Sequence, residues 1–147
     1  MTRDKVMALT DEEPRIKAAK LMGAQWFLAG HGGCRLLTFG RPVGMRTASG
    51  DETICTDACR DIPDYPNDIA AAWELVDFAK IKGYSCVIYG PGGLTDECLG
   101  GGPMWKAQFQ KGRWCDEDGA WYTGEDKDLC SRAITRAFIL AMTEGDK

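Results

Sequence analysis

One histidine, His31, is all the imidazole in this 147-residue chain. Any zinc site must therefore draw mainly on cysteine, and any cysteine–histidine pair has a single candidate base. Long apolar runs are also missing. Nothing approaches the roughly 20 residues that cross a bilayer, so no membrane-spanning helix is expected. Residues 1–5, Met-Thr-Arg-Asp-Lys, have no apolar core region behind them, so a secretory signal is not expected and a cytosolic setting is. Positive charge is not in excess. A net charge of −4 argues against a general affinity for duplex nucleic acid, which needs many lysines and arginines facing phosphates. Neither Gly30-x-Gly32-Gly33 nor the glycines from Gly90 to Gly93 have Walker spacing or directly open a helix, so the dinucleotide fingerprint is absent.

What the chain does contain is ordinary for a globular protein. Hydrophobic residues make up 44% and charged residues 27%, which excludes wholesale disorder. The length suits one domain with a real core, and residues 1–147 are expected to form one. Acidic and basic residues balance up to residue 66, and the acidic excess follows it. A small anionic ligand stays possible, because it needs only two or three local positive groups. Seven cysteines is an odd number, and without a secretory signal they read as free thiols. Cys86 and Cys130 fall in apolar sequence as small core residues, whereas Cys34, Cys55, Cys59, Cys98 and Cys115 lie in polar or Gly-rich stretches.

Periodicity supplies the elements. Thr10-Asp11-Glu12-Glu13 reads as a capping box opening a helix that passes through Ile16, Ala19 and Lys20 and stops at Gly23. Residues 25–28 and 35–39 are strand candidates. Residues 40–66 carry little periodicity and are expected to be a long loop. Ile69, Ala72, Trp73, Val76 and Ala79 or Lys80 recur at helical spacing, with Asn67 or Asp68 as cap, Gly83 as stop and Trp73 as a core residue. Residues 84–89 form a strand, and a Gly-rich loop fills 90–103. In residues 104–110, Trp105, Ala107 and Phe109 point one way and Lys106, Gln108 and Gln110 the other. The apolar set should pack on helices, and the polar set should meet solvent, a partner subunit or a ligand. A short strand at 120–123 follows, and a last helix over 126–143 carries Cys130, Ala133, Ile134, Ala137, Phe138 and Ala141 on its apolar face. Two helices bracketing a meander predict an α+β fold with a small, mainly antiparallel sheet flanked by helices.

Residues 65–76, Tyr-Pro-Asn-Asp-Ile-Ala-Ala-Ala-Trp-Glu-Leu-Val, resemble the signature helix of the phage ABA-sandwich domain proteins. The likeness continues through Gly83-Tyr84, Trp105-Lys106-Ala107-Gln108-Phe109 and Asp128-Leu129-Cys130-Ser131-Arg132-Ala133, and the family's opening helix is similar to residues 15–23. Residues 29–60 and 90–103 depart from it. The resemblance implies an α/β/α sandwich encoded by a bacteriophage and acting in the host bacterial cytoplasm. It implies no catalytic residues.

The candidate sites follow from side-chain chemistry. His31-x2-Cys34 and Cys55-x3-Cys59 are the nearest approach to a zinc set, although Cys-x3-Cys is looser than the usual chelating pair and free thiols are the preferred reading. Cys34 beside His31 is the one nucleophile–base pairing, in a Gly-rich loop where proximity means little. Asp116, Glu117 and Asp118 offer carboxylates for a divalent ion and read more simply as a solvated turn. No metal and no cofactor are expected. Aromatics and cations interleave in the meander: Lys106, Arg113, Trp114, Trp121 and Tyr122 combine ring faces that stack bases with charges that hold phosphate. Arg35, Arg41 and Arg46 form a second anion-binding set. With the phage resemblance, and by analogy with other small phage proteins that act as sponges, the expected function is sequestration of a small anionic nucleotide signal of bacterial antiviral defence, such as a cyclic oligonucleotide or a cyclic ADP-ribose-like molecule, by a non-enzymatic homo-oligomer. A phage enzyme cleaving such a signal and a protein-interaction role without a small-molecule site are the alternatives.

Overall fold

The computed structural model describes residues 2–10, 12–29, 35–40, 44–47, 60–91, 103–112 and 119–145. Along the chain these form α1 (Arg3–Met7), α2 (Glu12–Leu21), β1 (Gln25–Ala29), β2 (Arg35–Phe39), β3 (Met45–Thr47), β4 (Arg60–Asp61), α3 (Ile69–Ile81), β5 (Tyr84–Tyr89), β6 (Trp105–Lys111), β7 (Trp121–Asp126) and α4 (Cys130–Glu144). The fold is α+β, as the order of elements predicts. Its strands are all antiparallel and divide between two sheets, one in the order β3-β1-β2-β4 and one in the order β5-β6-β7. Residues 40–66 are not a continuous loop, because β3 and β4 lie within them and become the two edges of the first sheet. Strands of two and three residues carry too little alternation to register as a period.

Local signals place the helix ends. Glu13 reaches back to the Thr10 N–H at 3.0 Å, closing the capping box from its carboxylate side, and the Thr10 hydroxyl donates to the same oxygen at 3.1 Å. Asp68, not Asn67, caps α3, with Oδ1 accepting from the Ala70 N–H at 2.9 Å. Gly83 ends that helix at φ +85°, where a side chain would be strained.

The apolar face of α3 is rotated from its expected position. Ala72, Leu75, Val76 and Ala79 are buried, while Ile69 and Trp73 remain 45% and 46% exposed. Both stripes have i, i+3, i+4, i+7 spacing, so the pattern alone does not choose between them. The choice is made by α4, which lies alongside α3 and is met by small and aliphatic side chains. Trp73 is therefore a surface residue rather than a core one.

Helix α4 organises the core. It packs on β6 and β7 on one side and on α1, α2 and α3 elsewhere, so Ile134, Phe138 and Ile139 are fully buried and Leu140 nearly so. Burying each such side chain contributes about 2 kcal/mol. Phe138 meets Phe109 of β6 and Phe78 of α3 edge-on, at ring separations of 6.4 and 6.0 Å. The polar side chains inside α4 are served locally: the Thr135 hydroxyl donates to the Ser131 carbonyl at 2.8 Å, and Ser131 Oγ donates to the Pro66 carbonyl at 2.7 Å, tying α4 to the approach of α3.

The alternation expected of β6 holds over residues 106–109, but Gln110, expected on the polar face to meet solvent, a partner or a ligand, is fully buried, with Nε2 directed at the Gly119 carbonyl at 3.5 Å. Ala107 and Phe109 are fully buried against α4, and Lys106 and Gln108 lie on the opposite face, half-buried. The start of α4 is pinned by Asp126 at the end of β7. Its Oδ1 accepts from the Asp128 and Leu129 N–H groups, both at 2.9 Å, and its Oδ2 pairs with Arg136 at 2.7 Å. Burial raises the Asp126 pKa, but the two N–H groups and the charges of Arg136 and Arg132 more than offset it and hold the carboxyl below its ordinary range.

Candidate functional site

A cleft of about 340 Å³ opens between the first sheet and α2. The first turns of α2 supply Glu12, Arg15 and Ile16, β1 supplies Trp26, β2 supplies Arg35, Leu36 and Leu37, and the end of β4 supplies Asp61 and Ile62. Its position follows from strand lengths. β4 pairs only with Thr38 and Phe39, so residues 35–37 of β2 run on past it and leave a gap that α2 overlooks. Trp26 lies directly across the ladder from Leu37 and shares its face, half-buried against the core. The cleft thus combines an indole ring with aliphatic and charged side chains.

The charged groups of the cleft differ in how far they are committed. Arg15 Nη2 donates to the Ile62 carbonyl at 2.8 Å and Nε to the Pro63 carbonyl at 3.2 Å, and Nη1 meets Glu12 at 3.4 Å. That guanidinium braces α2 against the segment leading into α3. Arg35 is exposed and, among the described residues, has no ion-pair partner. It is the cation of the cleft that remains able to meet a ligand. A second cavity of about 320 Å³, lined by Leu9, Glu13, Ile16, Lys17 and Lys20, has no aromatic wall.

The sequence candidates separate into three groups. Arg46 lies on β3 opposite Leu28 of β1, and Leu28 in turn lies opposite Arg35 of β2, so two of the three arginines of the second anion-binding set occupy one row on one face of the sheet. Lys106, Trp121 and Tyr122 belong to the other sheet. Lys106 is held by Glu125 at 3.4 Å, and Glu125 is also met by Arg3 at 3.0 Å. Trp121 is 42% exposed on the same face as Lys106, but it pairs with Gln110 at the other end of β6. Tyr122, one residue on, faces α4 and sits edge-on to Tyr84 at 6.3 Å. Adjacent strand residues point to opposite faces, so Trp121 and Tyr122 do not form one aromatic surface. Arg41, Arg113, Trp114, His31, Cys34, Cys55 and Cys59 lie outside the described residues, as do Asp116, Glu117 and Asp118.

Among the described residues no group of three or more His, Cys, Asp or Glu side chains is placed to hold a metal ion, and no helix is long and apolar enough to cross a membrane. Burial pushes the Cys86 thiol up to about 11 despite the charge of Lys80, and burial also raises Cys130. Both thiols stay protonated near neutrality and are poor nucleophiles there.

Arg15 and Trp26 were not legible as site residues. In the sequence Arg15 stands out only as part of the helix over residues 15–23, and its partners Ile62 and Pro63 lie 47 and 48 positions away. No family model matches the chain, and no match is found among curated proteins or solved structures.

Proposed function

We propose that this protein binds a small anionic, ring-bearing ligand of the nucleotide class in the cleft between α2 and the first sheet, and holds it without turning it over. The observation that carries the reading is the convergence of Trp26 and Arg35 on one partly aliphatic cleft of about 340 Å³. A ring stacks on an indole, a guanidinium pairs with phosphate in a planar fork, and the Leu37 and Ile62 side of the cavity excludes water from the stacked ring. Arg15 is already bonded to two carbonyls and keeps the cleft in shape before any ligand arrives, which lowers the ordering cost of binding. The resemblance of residues 65–76 to phage ABA-sandwich proteins extends the proposal to a role: sequestering a nucleotide signal used in bacterial antiviral defence.

The test is recovery of the bound molecule. The protein is purified from bacteria in which nucleotide-based defence signalling is active, denatured, and the released small molecules are identified by mass spectrometry. An intact nucleotide, absent from a parallel preparation of Trp26→Ala, is the expected result. Recovery of cleaved fragments together with loss of added nucleotide would show an enzyme, and release of no nucleotide at all would refute the reading.

A further inference from the structure

We propose that the phosphate of the ligand is held outside the cleft, over Leu28, by Arg35 and Arg46 acting as a two-arginine anion site. The proposal rests on the nucleotide reading of the cleft and adds where the charged part of the ligand goes. The sheet register carries it. Arg46 of β3 is the ladder partner of Leu28 of β1, and Leu28 is the ladder partner of Arg35 of β2. Ladder partners share a face, so the three side chains stand in one row with Leu28 in the middle.

Two strand spacings separate the arginine Cα atoms by about 10 Å. Both side chains are long enough to converge above the shorter leucine, and both are exposed. Among the described residues neither has an ion-pair partner. The row contains no carboxylate, so nothing in it competes for the guanidinium groups. Two like charges held this close favour a shared anion, and paired guanidinium forks suit a phosphate better than ammonium groups would.

The cleft and the row join at Arg35, which belongs to both. The cleft volume sits at the low end of the roughly 300–1,000 Å³ usual for ligand sites. It has room for a base with its sugar. A phosphate attached to that sugar then emerges beside Arg35 and lies along the row toward Arg46. The ligand class this selects is a nucleotide with one base and an accessible phosphate or diphosphate, rather than a molecule with two bases to bury.

Calorimetric titration of the full chain with pyrophosphate, with adenosine and guanosine, and with their 5′-diphosphates tests the site. Pyrophosphate is expected to bind, and Arg35→Gln and Arg46→Gln are each expected to weaken it about tenfold or more, with Arg46→Lys intermediate because it keeps the charge and loses the fork. Trp73→Gln, at the exposed indole on α3, is expected to leave pyrophosphate binding unchanged. The diphosphates should bind more tightly than the nucleosides, and that gain should vanish in Arg46→Gln. Circular dichroism confirms folding of each variant, and Arg46→Lys stands in if Arg46→Gln fails to fold. Nucleotide binding indifferent to both Arg46 substitutions would overturn the two-arginine site and leave the cleft reading standing. Pyrophosphate binding that depends on both arginines, with no binding of nucleosides or diphosphates, would support the anion site and overturn the cleft reading instead. Absence of pyrophosphate binding to the unsubstituted chain refutes the site.

Discussion

Gly124 of β7 lies directly against the backbone of α4, and adding one methyl group there should be strongly destabilising. A Cβ on Gly124 would lie 2.2 Å from the Ala133 carbonyl oxygen, 2.4 Å from the Ala137 nitrogen and 3.1 Å from the Ala137 Cα. Comfortable contacts between such atoms begin near 3.5 Å, so α4 would have to retreat by more than 1 Å. The obstructing atoms are helix backbone and cannot rotate aside. Retreat would also loosen Phe138 from Phe109 and open space along the most buried helix of the fold. Overpacking a core costs about 1–3 kcal/mol, and a backbone obstruction belongs at the top of that range. Gly124→Ala is therefore expected to lower the unfolding free energy by about 3 kcal/mol, a large part of the roughly 5–15 kcal/mol typical of a domain. Urea unfolding followed by tryptophan fluorescence measures it, with Gly90→Ala as the control. There the new Cβ would lie 3.3 Å from the movable Trp105 ring, and a loss below about 1 kcal/mol is expected. If Gly124→Ala unfolds within 0.5 kcal/mol of the unsubstituted chain, by about the same margin as the control, the inferred close packing of α4 on β7 is wrong.

Two further outcomes follow from the same structure. Asp126 has a carboxyl held below its ordinary value of 3.8, so its stabilising effect is complete above that value and is lost as pH falls through the lower folded-state pKa. Asp126→Asn should remove that component from the acid limb of a stability–pH profile, and Asp126→Ala should cost about 3–5 kcal/mol at neutral pH by leaving Arg136 without its carboxylate partner; an acid limb unchanged in Asp126→Asn would contradict the assignment. Trp73→Gln should change the unfolding free energy by less than about 1 kcal/mol, because the indole is 46% exposed, and a loss above about 3 kcal/mol would return Trp73 to the core.

How much of this was readable from the chain depends on the range of the signal. The start of α2, the cap and stop of α3, the inward Ala107 and Phe109 of β6 and the inward stripe of α4 all depend on residues within a turn or two of one another, and all appear where spacing and capping chemistry put them. The rotation of α3 did not appear, because Ile69-Ala72-Trp73-Val76 and Ala72-Leu75-Val76-Ala79 satisfy one period equally well. Only the neighbouring helix distinguishes them. β3 and β4 were invisible for a related reason: two or three residues become strands only when β1 and β2 offer an edge to pair with. The cleft was hidden further still. Its walls come from α2, β1, β2 and the end of β4, so no window of sequence contains it.

The described arginines differ in what they hold. Arg15, Arg35, Arg46, Arg132 and Arg136 have the same side chain and serve three ends. Arg136 and Arg15 are donors to fixed carbonyls, the first to Glu125 at 2.7 Å and the second to Ile62 at 2.8 Å, and they hold elements together. Arg132 reaches Asn67 at 3.1 Å across the junction of α3 and α4. Arg35 and Arg46 have no such role among the described residues, and they stand on the sheet that contributes least to the α4 core. A ligand site built there can change its charge without disturbing the packing on which stability depends. Substituting Arg35 or Arg46 should therefore alter binding at almost constant unfolding free energy, whereas substituting Arg15 or Arg136 should move stability first. That contrast separates a binding surface from a scaffold even before the ligand is known.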